Sequence, residues 1–264
     1  MIDALQLQET LAEVIKLSEK VGQFIANESV PPQEIELKGL NNLVSYVDKE
    51  AERMFVEGLG ILLPEAGFVA EEGTIDYDDR ELRWIIDPLD GTTNYLHSIP
   101  CWCTSVGLFD GSTPLLGVIH SPMTNETFSA SVGMGAFLNN ERIHVSDTAA
   151  LSSSLLATGF PYDDFGKQNN YMELLKALMP LSRGIRRLGS AAMDLAYVAC
   201  GRFDGFYEYG LNPWDVAAGI IIVQEAGGTV TDFSSGLKAL EAEEILASNT
   251  KIHSELITII NQHF

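Results

Sequence analysis

Positive charge is scarce in this chain: 16 Lys and Arg stand against 37 Asp and Glu, a formal charge of −21 over 264 residues. So acidic a surface repels nucleic-acid phosphates, and direct binding of DNA or RNA is not expected. Cysteine is scarce too. Cys101, Cys103 and Cys200 are odd in number and form no C-x-x-C pair. That points away from a disulfide framework or a zinc site and towards reduced thiols in a cytoplasmic protein. No apolar run approaches the roughly 18 residues of a bilayer span, so no membrane association is expected. No basic segment followed by an apolar stretch marks a secretory leader. Repeats and low-complexity tracts are absent. Apolar residues are plentiful, at 46% against 20% charged, which suits a full core in one large α/β unit or two joined halves. An acidic protein that handled a phosphate would need cations to hold it, and bound metal ions are the obvious source.

Apolar spacing places the elements. Leu11, Val14, Ile15, Val21 and Ile25 share one stripe and predict a helix over 3–28, stopped by Pro31 and Pro32. Val47, Ala51, Met54, Phe55 and Leu62 predict a second over 45–63, ended by Pro64. The stretch Lys38-Gly39-Leu40-Asn41-Asn42 between them reads as a loop. Residues 67–71 and 82–87 are strand-like runs that end in acids. Residues 101–109, 114–120 and 126–131 read as strands of an antiparallel meander, split by turns at Asp110-Gly111 and Pro122-Met123-Thr124-Asn125. From Ser152 onward strand and helix alternate. Helices are predicted over 168–179, 190–200, 213–226 and 251–262, and strands over 184–188, 203–208, 229–233 and 244–248. Such alternation implies an α/β layer arrangement. A soft boundary near residue 147 separates an N-terminal α+β half, 1–147, from a C-terminal α/β half, 148–264, that completes the site.

The densest chemistry lies in Trp84-Ile85-Ile86-Asp87-Pro88-Leu89-Asp90-Gly91-Thr92-Thr93-Asn94-Tyr95. An apolar strand ends in an acid, and a second acid follows three residues later, before a glycine. A turn there can bring both carboxylates to one point, with the Gly91 and Thr92 amides opening a short helix towards an anion. Taken alone, the pattern also fits a plain strand-to-helix turn with Asp90 as its cap. Glu71-Glu72-Gly73 follows another apolar run and by itself could be solvated charge. Asn212-Pro213-Trp214-Asp215 opens a long helix, where Asp215 fits the third position and can serve the helix end, the site or both.

Together these segments carry a resemblance. Ala70-Glu71-Glu72-Gly73, Trp84 through Tyr95, Gly189-Ser190-Ala191-Ala192, and Trp214-Asp215-Val216-Ala217-Ala218-Gly219 with Glu225-Ala226-Gly227-Gly228 are similar in order and separation to the signatures of the inositol monophosphatase family. The match covers nearly the whole chain. It implies a layered αβαβα sandwich of the inositol monophosphatase and fructose-1,6-bisphosphatase type. It also implies Mg2+-dependent hydrolysis of a small phosphate monoester, inositol 1-phosphate first among them, by direct attack of a metal-activated water. Glu71, Asp87 and the Leu89 carbonyl resemble the ligands of a tighter Mg2+ site, and Asp87, Asp90 and Asp215 those of a second. A third, weaker ion near Glu71 is usual, Mn2+ can substitute, and Li+ inhibits. Thr92, Asp48 and Glu71 form the implied catalytic group, with Thr92 and Asp48 orienting and deprotonating the water. Asp90, Gly91, Thr92, Ala191, Glu208 and Asp215 are the implied substrate contacts. Electrostatics agree with a metal. Carboxylates about 5 Å apart repel by roughly 3 kcal/mol per pair at an effective dielectric near 20, so a converging set needs cations.

The resemblance further implies a homodimer and places Lys38 in a loop over the site. Relatives often carry an Asp shortly after that lysine, where this chain has Asn41-Asn42. That change bears on the loop's metal affinity and on lithium sensitivity. Arg186 and Arg187 are read as structural or subunit-interface residues, since metal already covers the phosphate. The five histidines show no ligand spacing. Related activities are sugar-bisphosphate, 3′-phosphoadenosine 5′-phosphate, NADP or histidinol-phosphate hydrolysis. A role as a partner of transcription and ribosomal-RNA processing factors, with secondary phosphatase activity, is the alternative of another class.

Overall fold

The apolar stripes of two long helices set the outermost layer. α1 (Ala4–Asn27) and α2 (Tyr46–Leu62) bury Val14, Val21 and Ile25, and Ala51, Phe55 and Leu59, against one face of a large sheet. The computed structural model describes residues 3–31, 36–37, 43–75, 80–161, 165–241 and 243–264. Lys38, Asn41 and Asn42 lie outside the described residues. Between the helices, β1 (Glu36–Leu37) and β2 (Leu43–Val44) form a short antiparallel pair.

The large sheet runs in sequence order through β3 (Gly67–Ala70), β4 (Leu82–Asp90), β5 (Cys103–Asp110), β6 (Thr113–Ser121), β7 (Glu126–Ser131), β8 (Gly135–Leu138) and β9 (Glu141–Ile143). β3 joins β4 in parallel, and the remaining pairs are antiparallel, as a meander requires. The hairpin of β8 and β9 extends the meander past the strands that spacing predicts. These two strands are too short to show a period. Alternation along β4 sends Trp84 and Ile86 towards α1 and α2, and Ile85 to the opposite face.

On that opposite face lie α5 (Ala191–Ala199) and α6 (Pro213–Glu225), a middle layer. Every residue of α6 from Val216 to Val223 is buried. A helix with no wet side belongs inside a sandwich. Its small residues allow close approach: a Cβ at Gly117 of β6 would stand 2.7 Å from the Ala218 carbonyl oxygen. The second sheet covers the other side. Its order is β11 (Gly184–Arg186), β10 (Leu155–Thr158), β12 (Gly205–Tyr209), β14 (Glu244–Ser248), β13 (Thr229–Thr231). β10 pairs in parallel with β11 and β12, while β14 is antiparallel to both its neighbours. Along β12, Phe206 points into the middle layer and Tyr207 and Tyr209 point outward, where α4 (Gln168–Leu178) and α7 (His253–Ile260) close the last layer. The result is the expected αβαβα sandwich. The same alternation sends Glu208 to the side of Phe206, the middle-layer side.

Candidate active site

β4 ends in Asp87-Pro88-Leu89-Asp90, and its register against β5 shifts between the two acids. A proline that cannot donate to the ladder sits at that irregularity. Asp87 and Asp90 are both buried, and the Leu89 amide donates to Asp87 Oδ1 at 2.9 Å. Gly91 then turns the chain at φ 96°, where a Cβ would lie 3.0 Å from the Cys101 carbonyl oxygen. Only glycine adopts that conformation in that space without strain. The turn leads into α3 (Thr92–Leu96) and aims Thr92 back at α2. Thr92 Oγ1 lies 3.0 Å from Asp48 Oδ1 and 2.9 Å from the Leu89 carbonyl oxygen, two acceptors for one hydroxyl proton. Asp48 is itself buried at the third position of α2, where its Oδ2 accepts from the Ser45 amide and hydroxyl at 2.8 and 2.7 Å.

Glu71, Asp87, Leu89, Asp90, Gly91, Thr92, Ala191, Glu208 and Asp215 all line one cavity of about 290 Å³. Asp48 stands behind Thr92. Every site residue expected from the sequence is thus in the cavity wall or directly supports it. The two sheets and the middle helices meet here: β3 and β4 bring Glu71, Asp87 and Asp90, β12 brings Glu208, and the starts of α5 and α6 bring Ala191 and Asp215.

Crowded acids raise one another's pKa. Asp87 is pushed well above the usual carboxylate range, first by burial and then by Glu71, Asp90 and Asp215, and it shares a hydrogen bond with Glu71. Asp215 is also raised well above its ordinary value, first by burial and then by Glu71 and Asp90; the Asn212 amide, which donates to its Oδ2 at 2.7 Å, opposes the rise. Burial pushes Asp90 up to about 6. The Ser190 hydroxyl and the Ala192 amide, each 2.7 Å from Oδ2, hold it back, as does the Ala191 amide. Burial likewise lifts Glu208 to about 8, with Arg187 opposing.

This donor set is all oxygen, dense in carboxylates and short of cations, which suits a hard ion such as Mg2+. Among the described residues no three His, Cys, Asp or Glu side chains are gathered into ready ligand geometry. One oxygen each of Asp87, Asp90 and Asp215 accepts from a backbone amide, of Leu89, Ala192 and Asn212 respectively. The Ala191 amide, on the cavity wall, also contributes to holding Asp90.

Three residues escaped the sequence reading. Arg187, read as structural, lines the cavity, with its guanidinium 5.8 Å from the centre of the Phe160 ring. Asp194 lines it too, buried, with Oδ1 lacking a hydrogen-bond partner among the described residues; burial and then Glu208 and Asp90 push its carboxyl well up. Glu52 lies beneath the segment that follows Glu71. The one local signal for Glu52 was an acid on the apolar face of α2.

Fold and cavity together define a phosphoric monoester hydrolase of the layered αβαβα type. The model of the inositol monophosphatase family matches residues 6–263, and the chain belongs to that family, which is generally metal-dependent. An inositol-1-monophosphatase of Synechocystis sp. is 47% identical over 227 residues, 85% of this chain and 79% of that protein. The Nus factor SuhB of Vibrio cholerae is 42% identical over 90% of each chain. Among solved structures, the extragenic suppressor protein suhB from Bartonella henselae superimposes with a TM-score of 0.90 at 38% identity, covering 96% of this chain and 98% of its own. No helix among the described residues is long and apolar enough to cross a membrane.

Proposed function

We propose that this phosphatase hydrolyses inositol 1-phosphate to inositol and phosphate in a Mg2+-dependent reaction. The observation that carries the reading is one small cavity that Glu71, Asp87, Asp90, Asp215 and Glu208 line together. Glu71, Asp87, Asp90, Asp215 and the Leu89 carbonyl are the groups that would hold two or three Mg2+. When bound, Mg2+ offsets the phosphate charge and lowers the pKa of water. Thr92, fixed by Asp48, orients the attacking water and relays its proton to the Asp48 carboxylate. The amides of Gly91 and Thr92 face the phosphate oxygens. Glu208, with a carboxyl lifted to about 8, is protonated at neutral pH and can both donate to and accept from a ring hydroxyl. Asp90, Asp215 and Ala191 complete the leaving-group wall. We further place the protein in the cytoplasm as a homodimer, with Mn2+ able to replace Mg2+ and Li+ inhibitory.

A phosphate-release panel tests the reading. Inositol 1-phosphate, fructose 1,6-bisphosphate, 3′-phosphoadenosine 5′-phosphate, NADP and histidinol phosphate are compared with Mg2+ and with a chelator. The highest kcat/KM is expected for inositol 1-phosphate, and the chelator abolishes release. A far higher kcat/KM for the adenosine bisphosphate overturns the substrate, and release untouched by chelator overturns the metal. Likeness to the Vibrio cholerae Nus factor favours a second reading, partnership with the transcription machinery. Recovery of RNA polymerase factors by an Asp87→Asn protein that still complements in cells would support it.

A further inference from the structure

The core-facing stripe of α2 is Val47, Asp48, Ala51, Glu52, Phe55 and Leu59, so two carboxylates one turn apart are sunk into an otherwise apolar face. Asp48 is accounted for by Thr92. Glu52 is 0% exposed, and among the described residues it accepts hydrogen bonds from one short segment. Its Oε2 accepts from the Glu72 amide at 2.6 Å, and its Oε1 accepts from the Thr74 amide at 2.7 Å and the Thr74 hydroxyl at 2.6 Å. A buried carboxylate is unfavourable unless fully hydrogen-bonded, and short bonds to an anion are the strong ones. An apolar side chain would fill this place in the core with no such cost. All three bonds converge on the residues immediately after Glu71. The backbone of Glu71 has its own tie to the sheet, from its amide to the Ile86 carbonyl, at 3.3 Å.

We propose that Glu52 is a positioning residue: it clamps residues 72–74 and thereby fixes the Glu71 carboxylate in the cavity. α2 then sets two parts of the site from one face, Thr92 through Asp48 and Glu71 through Glu52. The proposal rests on the reading of Glu71 as a cation ligand. Groups that orient a ligand from behind are worth about 10–100-fold in metal affinity.

The test is calorimetric Mg2+ titration without substrate, on the wild type, Glu52→Gln, Thr74→Val and Glu71→Gln, each checked for its thermal transition. In Glu52→Gln the amide nitrogen must face a backbone N–H, Glu72 or Thr74, that formerly donated, so at least one bond becomes a repulsive contact. The Mg2+ dissociation constant is expected to rise about tenfold or more. The Mg2+ concentration for half-maximal activity should rise by a similar factor, with KM for substrate at saturating Mg2+ unchanged. Thr74→Val removes only the hydroxyl bond and gives a smaller rise in the same direction. Wild-type Mg2+ affinity in folded Glu52→Gln, with Glu71→Gln defective, overturns the proposal and shows a purely structural role. Wild-type affinity in Glu71→Gln itself overturns the ligand reading instead. If Glu52→Gln does not fold, Thr74→Val decides: weakened Mg2+ binding supports the clamp, and unchanged binding overturns it.

Discussion

Thr92→Val keeps the shape of the side chain and removes one O–H. That O–H lies 3.0 Å from Asp48 Oδ1 and 2.9 Å from the Leu89 carbonyl oxygen. Asp48 keeps its two bonds from Ser45, so the fold loses about 1.5–3 kcal/mol, the worth of one hydrogen bond to a charged group. For a chain of this size that is a Tm shift of only several degrees. Asp48 also loses one of the contacts that oppose its raised pKa and so titrates still higher. The reaction should lose far more. Proton transfer through a positioned group is worth roughly 10²–10⁴ in rate, or about 3–5 kcal/mol of barrier. Phosphate release at saturating Mg2+ should therefore show kcat down at least about a hundredfold, with KM little changed. Thr92→Ser restores the hydroxyl and should recover much of the rate. A valine variant turning over at nearly the wild-type rate would remove Thr92 from the reaction, and a large Tm drop would assign it to the fold.

Glu208→Ala should raise KM for inositol 1-phosphate about tenfold, the worth of one hydrogen bond. It should leave p-nitrophenyl phosphate, which has no ring hydroxyl to bind, unaffected; equal losses on both substrates would argue against hydroxyl recognition. His120 is buried with Nδ1 2.9 Å from Thr127 Oγ1, and burial lowers its pKa from 6.5 to about 4. Above pH 6.5 it is neutral in both states and contributes nothing. As pH falls from 6.5 towards 4 only the unfolded chain takes the proton, so the folded state loses about 2 kcal/mol after a discount for solvent screening. Urea unfolding at pH 7 and pH 4.5 should show a larger loss for the wild type than for His120→Gln, and equal losses would refute this. Gly117→Ala places a methyl 2.7 Å from the Ala218 carbonyl oxygen and 2.9 Å from its Cα, backbone atoms that cannot turn aside. A loss of about 1–3 kcal/mol in stability is expected, with lower kcat because α6 carries Asp215; an unchanged urea midpoint would show that the helix can shift freely.

Periodic and local signals were the legible part. The stripes on α1 and α2, the meander up to β7 and the helix–strand alternation after Ser152 each reside in a few neighbouring residues, so spacing shows them. The resemblance added the site residues, and the structure brings them to one cavity. What stayed hidden depends on contacts between distant segments. Arg187, just after β11, and Asp194, in the first turn of α5, line the cavity only because those elements reach the one that the end of β4 also lines. The purpose of Glu52 appears only when residues 72–74 fold over α2. Asp48 and Asp215 both sit third in a helix, where an acid is ordinary, and nothing local distinguishes the one behind Thr92 from a simple cap.

The amino-acid order by itself determined which residues can carry the chemistry: the acids at the ends of β3 and β4, the glycine that lets β4 turn, and the all-apolar helix that must lie inside. The tertiary structure alone brought those acids to one cavity and turned Asp90 onto the Ser190 hydroxyl and the Ala192 amide. Asp87 and Asp215 are held by amides close by in the chain, Leu89 and Asn212, but the donors to Asp90 stand at the start of α5, which reaches it only after folding.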